Sequence, residues 1–196
     1  MDSQPLLVIA SGSAALTGLT NYIKELRIEV DREITVLMTA AAERFVRPEV
    51  VGWFADQVLT CDTPGLQPVQ LAKTARALVV LPATANTLSA AALGLAATPA
   101  QTALLAAPSP SLYFPSMNPS MWAKPAIQRH VASLRAQGDT VVDPEVAEVF
   151  EIWKREWSLG LSMPGPDEAA AIVKAWLLDG AAAVPSTPAA CAACGR

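Results

Sequence analysis

A single histidine and three cysteines in 196 residues leave little material for metal or thiol redox chemistry. Cys61, Cys191 and Cys194 are too few, and odd in number, for a disulfide framework. The pair Cys191 and Cys194 sits in an Ala/Pro stretch with no second pair and no histidine near it, so no metal site is expected. Charge is scarce as well: 16% of residues are charged, 14 basic against 18 acidic, for a net charge of −4. No basic cluster is dense enough to follow a phosphate backbone, which excludes nucleic acid as the expected partner. No apolar run reaches the ~18 residues that a spanning helix needs, so no membrane segment is expected. The opening MDSQP lacks the positive region of a signal peptide, and a cytoplasmic chain is expected.

What remains is apolar and rich in alanine. A hydrophobic fraction of 52% and a mean hydropathy of +0.33 rule out a disordered chain and suit one domain with much buried surface. Runs of strand type cover Leu6 to Ala10, Ile34 to Met38, Ala77 to Leu81 and Gln101 to Ala107. The first three lead into small polar turns and then into helical patterns. Leu112 to Phe114 precedes the loop PSMNPSMW and a helix reaching about Ala136, and Val141-Val142 supplies a further strand. Alternating strands and helices predict βα units, hence an α/β fold with a mostly parallel sheet and helices on both faces.

Ligands of such sheets sit beyond the carboxyl ends of the strands. Three polar, small-residue segments fall there: Ser11 to Ser13, Thr39, and Pro82 to Thr87. Together they suit one phosphate held by backbone N–H groups and hydroxyls; ordinary helix capping is the other reading of the same residues. Neither G-x-G-x-x-G nor a P-loop is present, so a mononucleotide is favoured over a dinucleotide.

Two of these stretches carry a family likeness. Pro82-Ala83-Thr84-Ala85-Asn86-Thr87 is a PASANT-type segment with threonine for serine, and Pro115-Ser116-Met117-Asn118-Pro119-Ser120-Met121-Trp122 matches a P-x-M-N-x-x-M-W segment throughout. Over about Leu6 to Leu178 the chain resembles the homo-oligomeric flavin-containing cysteine decarboxylases. The resemblance implies a single Rossmann-like (flavodoxin-like), FMN-binding domain over residues 1–179; residues 180–196 lie outside it and are expected to form a flexible Ala/Pro-rich tail, since they carry no periodic large apolar residues. It also implies a homo-oligomer, a trimer or a dodecamer built from trimers.

Phe150-Glu151-Ile152 and Met163-Pro164 resemble the peptide-processing branch, whose hairpin closes over a precursor peptide's C-terminus; the coenzyme A branch carries a cysteine in this region, and here none occurs between Cys61 and Cys191. The implied activity is oxidative decarboxylation of a C-terminal cysteine to an aminoenethiol. Removal of hydride at Cβ gives a thioaldehyde, whose C=S bond accepts the electrons released with CO₂. Carried over motif by motif, Gly12, Ser13, Thr39, Phe45, Pro82, Thr84, Asn86 and Met121 would bind the cofactor. Met117 and Asn118 would meet the substrate, with Asn118 the catalytic residue, and Phe150, Trp153 and Trp157 would contact the peptide from the lid. A covering of the core by those tryptophans is the competing reading of the lid segment.

One departure bears on activity. The family carries a histidine, the proposed base, fourteen residues before the PASANT proline; here that position is Pro68, and neighbouring Gln67 and Gln70 accept no proton. Either turnover proceeds without it, since a thiol of pKa ~8.5 is already a few per cent ionised at neutral pH, or the chain is a flavin-binding structural or regulatory protein. Flavin prenyl transfer, on a related fold, would require basic residues for a prenyl phosphate and does not suit the Met-Asn-x-x-Met-Trp segment.

Overall fold

The computed structural model describes residues 4–180. The expected tail, with Cys191 and Cys194, lies outside the described residues except for Gly180, where the last helix ends.

Six strands form one parallel sheet: β1 (Leu6–Ala10), β2 (Ile34–Met38), β3 (Gln57–Leu59), β4 (Ala77–Ala83), β5 (Leu112–Pro115) and β6 (Thr140–Val141), in the order β3-β2-β1-β4-β5-β6. Every residue of β1, β2, β4 and β5 is buried, as expected where helices cover both faces. The period of two divides them between two cores. Leu6, Val8 and Ala10 pack with Leu19, Ile23 and Leu26 of α1 (Leu19–Glu29) and, with Val51 of α2 (Pro48–Val51), complete the first face together with Ala169, Ala170 and Val173 of the terminal helix. Leu7 and Ile9 pack with Ala72 of α3 (Pro68–Thr74), Leu88 of α4 (Ala85–Ala92) and Ala103 and Leu104 of α5 (Pro99–Ala106). After the short α6 (Pro119–Trp122), α7 (Pro125–Ala136) adds Val131 and Leu134 to that second core. A separate antiparallel hairpin, β7 (Glu145–Glu151) and β8 (Glu156–Ser162), precedes α8 (Pro166–Gly180).

The Rossmann-like expectation holds, with one correction within it. Gln101 to Ala107, expected as a strand, lies almost wholly in α5. Thr98 caps that helix, its hydroxyl accepting from Gln101 N at 3.3 Å, and Pro99 sits at the first helical position. The buried Ala100, Ala103 and Leu104 follow spacings of three and four, not two, and that helical register wins over the apolar run. β3 was not anticipated, being only three residues long.

The chain runs outward from β1 to β2 and β3, then returns to add β4 on the other side of β1. The loops after β1 and β4 therefore diverge at adjacent strand ends and open a crevice there.

Candidate active site

A cavity of about 510 Å³ occupies that crevice. Its walls include Ser11, Gly12, Ser13, Thr39, Thr84 and Asn86, with Met117 and Met121 from the segment after β5. Three strand-end loops thus converge on one space, as a phosphate site requires.

Gly12 is what lets the first two loops meet. A Cβ there would stand 2.5 Å from Ala41 Cβ and 2.9 Å from the Ala41 carbonyl carbon, well inside contact distance. Buried Ser11 joins the first loop to the third: its hydroxyl donates to Pro82 O at 2.7 Å and accepts from Thr84 N at 3.0 Å. Ser13 and Ser116 hydroxyls lie 2.7 Å apart, tying the first loop to the end of β5. Thr84 caps α4, accepting from Thr87 N at 3.4 Å, and Thr39 Oγ accepts from Ala42 N at 3.2 Å. The capping reading and the phosphate reading are therefore compatible, since these hydroxyls fix loops whose N–H groups stay available. Gly12 and Ser13 N–H donate to no acceptor among the described residues, and Ala85 and Asn86 N–H open α4 without intrahelical acceptors.

Among the described residues no lysine or arginine lines the cavity, and Cys61 is the sole ionisable lining side chain. An anion held here would rest on neutral dipoles: free N–H groups, hydroxyls and the positive end of α4. The residues fit the phosphate of a flavin mononucleotide, and Ala40, Ala41, Ala85, Ala100 and the two methionines leave low, apolar walls for a flat ring.

Other expected site residues stand outside this lining. Pro82 is buried and contributes its carbonyl to Ser11, while Phe45 is exposed beyond the loop after β2. Asn118 caps α6, its Oδ1 accepting from Ser120 N at 2.9 Å and from Ser120 Oγ at 2.8 Å. Its amide NH₂ makes no hydrogen bond among the described residues and remains a free donor one residue from Met117. Phe150, Trp153 and Trp157 do not line the cavity within one chain and are largely exposed. Phe150 and Trp157 pack edge to face with centroids 5.6 Å apart, and Lys154 Nζ lies 4.9 Å above the Trp153 ring. Lys154 and the Ser158 hydroxyl hold the Glu151 carboxyl below its ordinary pKa, which fixes the tip of the hairpin. The competing reading, in which these tryptophans cover the core, does not match their exposure. The hairpin follows β6, whose carboxyl end lies on the cavity side of the sheet.

Pro68 starts α3 and does not line the cavity. Proline opens six helices here, α2, α3, α5, α6, α7 and α8, where its missing N–H costs nothing. Sequence reasoning missed Cys61, Thr98, Ala100 and Gln101, all of which line the cavity. A strand recognised at β3 would have placed Cys61 at the carboxyl edge, and a helix recognised at α5 would have placed the other three.

Comparison with known proteins agrees with this geometry. The Flavoprotein family model matches residues 1–173. The chain is 31% identical over 155 residues to mersacidin decarboxylase of Bacillus sp. (strain HIL-Y85/54728), covering 78% of this chain and 79% of that one. It is 28% identical over 160 residues to epidermin decarboxylase of Staphylococcus epidermidis, covering 81% and 88%. Among solved structures, a variant of EpiD complexed with the substrate peptide DSYTC superposes with a TM-score of 0.81 at 25% identity, covering 87% of this chain and 98% of that one. The FMN-dependent cysteine decarboxylase SpaF superposes at 0.74 with 32% identity, covering 91% and 97%. The chain belongs to the Flavoprotein family and stands within its peptidyl-cysteine decarboxylase branch.

Proposed function

We propose that this protein is an FMN-dependent enzyme that oxidatively decarboxylates the C-terminal cysteine of a precursor peptide, giving an aminoenethiol. The observation that carries the reading is the charge-free, N–H-lined crevice at the ends of β1, β2 and β4, bordered by the Met117-Asn118 loop. Bound FMN would supply the two-electron oxidation of the cysteine side chain.

The protein's own residues bind and orient. Gly12 and Ser13 N–H, the start of α4 and the hydroxyls of Ser13, Thr39 and Thr84 hold the phosphate, and Asn86 and Met121 border the ring's space. Phe45 and Pro82 support the cofactor site from outside its lining. Met117 and the free NH₂ of Asn118 meet the substrate. A neutral amide can orient the peptide's terminal carboxylate without fixing the charge that must leave as CO₂. The substrate thiol loses its proton without a histidine at position 68, drawing on the fraction already ionised at neutral pH.

Phe150, Trp153 and Trp157 cover the peptide as a lid. Because that lid does not line the cavity of its own chain, the working form is a homo-oligomer, a trimer or a dodecamer of trimers, acting in the cytoplasm through residues 1–179. No helix among the described residues is long and apolar enough to cross a membrane. The second reading, a flavoprotein without turnover, is favoured only by Pro68.

The test is mass spectrometry of peptides ending in cysteine after incubation with the purified yellow protein. A loss of about 46 Da, for CO₂ and two hydrogens, is expected. No loss across a varied peptide set, with FMN bound, would leave the non-catalytic reading.

A further inference from the structure

The β7–β8 hairpin has its amphipathicity inverted. Strand pairing places Val146 opposite Leu161, Glu148 opposite Leu159 and Phe150 opposite Trp157 on one face. Ala147, Val149, Ser158 and Gly160 share the other face, which is the less exposed. Within that face Gly160 leaves room for the Val149 side chain of the facing strand, with which a Cβ at 160 would collide. The outward face is the apolar one: Val146 is 73% exposed, Phe150 48%, Trp157 65% and Leu159 78%. A hairpin in contact with water alone would carry the opposite pattern, and a patch of several large apolar side chains marks a recognition surface.

One charge interrupts this face. Glu148 is exposed in the middle row, between the Phe150–Trp157 row and the Val146–Leu161 row, and it has no cationic partner among the described residues. Of the two cations at the hairpin turn, Lys154 is committed to Glu151 and Glu156, and exposed Arg155 forms no ion pair with Glu148. An extended ligand laid on the face meets apolar rows on either side of a lone carboxylate. Successive rows are two residues apart along each strand, so the complementary sequence reads apolar–x–basic–x–apolar.

Building on the decarboxylase reading, we infer that the hairpin selects precursor peptides with a lysine or arginine, flanked at alternate positions by apolar residues, upstream of the terminal cysteine, and that Glu148 sets this preference. The commitment to a peptide comes from charge complementarity: an unpaired carboxylate ringed by apolar side chains fits a basic residue with apolar neighbours. A second copy of this chain laid on the same face in register would bring Glu148 against Glu148.

The test uses full-length, FMN-loaded protein and fluorescein-labelled peptides ending in cysteine, apolar at alternate positions, with lysine, glutamine or glutamate moved through the preceding positions. Affinity is read by anisotropy and turnover by mass. At one position lysine should bind about tenfold more tightly than glutamate at low salt, the difference shrinking as salt rises. Glu148→Gln should level the preference and Glu148→Lys should reverse it, with the flavin spectrum unchanged as evidence of folding.

Equal affinity at every position, or an unchanged preference in Glu148→Lys, overturns the inference. So does a change in oligomer mass by light scattering in Glu148→Lys without a change in peptide preference, which would assign the face to contact between copies. A charge preference in binding without the mass loss sustains the inference and defeats the decarboxylase reading. Mass loss without a charge preference does the reverse.

Discussion

Replacing Gly12 by alanine tests whether the crevice is a phosphate cradle held open by one missing methyl group. The new Cβ would lie 2.5 Å from Ala41 Cβ and 2.9 Å from its carbonyl carbon. Carbons in contact normally sit ~3.5–4.0 Å apart, so one loop must retreat by about 1 Å. Neither loop retreats freely: Ser11, on one side, is tied to Pro82 and Thr84, and Ala42, on the other, is fully buried. Overpacking of this kind costs about 1–3 kcal/mol of stability. A retreat of 1 Å also takes the Gly12 or Ser13 N–H out of range of a phosphate oxygen, and one hydrogen bond to a charged group contributes about 1.5–3 kcal/mol. FMN affinity should therefore fall roughly 10- to 100-fold. The assay is flavin titration of stripped protein by fluorescence quenching, alongside thermal unfolding. Adding Ala41→Gly removes the 2.5 Å contact but leaves the 2.9 Å one, so the double variant should recover part of the lost affinity. Wild-type FMN affinity in Gly12→Ala would refute the proposed placement of the phosphate. So would loss of affinity that Ala41→Gly does nothing to restore.

Asn118 combines a cap with a proposed substrate contact, and two variants separate them. Asn118→Asp keeps the acceptor for Ser120 N, whereas Asn118→Ala loses it at a cost of about 1 kcal/mol in stability; both should bind FMN and fall at least about 100-fold in turnover, and normal turnover by Asn118→Asp would exclude the amide from the reaction. Position 68 lies outside its own chain's cavity, so Pro68→His tests whether the proposed oligomer brings it to the thiol: turnover should rise at least about tenfold with an inflection near pH ~6.5, and an unchanged profile would mean that position 68 does not reach the thiol in the working enzyme. Burial raises the pKa of Asp139, although its carboxylate accepts from Ser111 N at 2.7 Å, so ionisation works against the folded state. The stability linked to this group is complete below the ordinary value of ~3.9 and is lost as pH rises through the raised folded value. Asp139→Asn, which retains an acceptor, should unfold at a higher temperature than the parent at pH 8 and lose that advantage toward pH 4; a difference independent of pH would refute the assignment.

Much of this was legible in the chain because burial on both sides of a parallel sheet writes itself as uninterrupted apolar runs. β1 and β2 were readable to the residue, and β4 ran only two residues beyond its apolar run. The loops that converge on the crevice were readable because small polar residues followed three such runs. α5 was not, since TALLAA is apolar enough for a strand, and only the Thr98 cap and Pro99 mark it as a helix. Cys61 was missed because β3, which aims it at the crevice, is too short to leave a pattern. The knot at Ser11 was beyond reach for another reason: its partners lie 71 and 73 residues away, and nothing local announces them. The inverted hairpin was half visible, as its aromatic residues stood out while their facing depended on a register that the sequence does not display.

That knot has an implication for how such a site can change. A serine hydroxyl has one proton to give, and here it goes to the end of β4 while a lone pair receives the N–H that begins the turn into α4. Two loops from distant parts of the chain thereby behave as a single casting. With the phosphate placed as proposed, a different ester could not be accommodated by reshaping either loop separately, because a shift in one drags the other. Variation in what the flavoprotein accepts is freer in the hairpin, whose outer face is tied to no other element among the described residues.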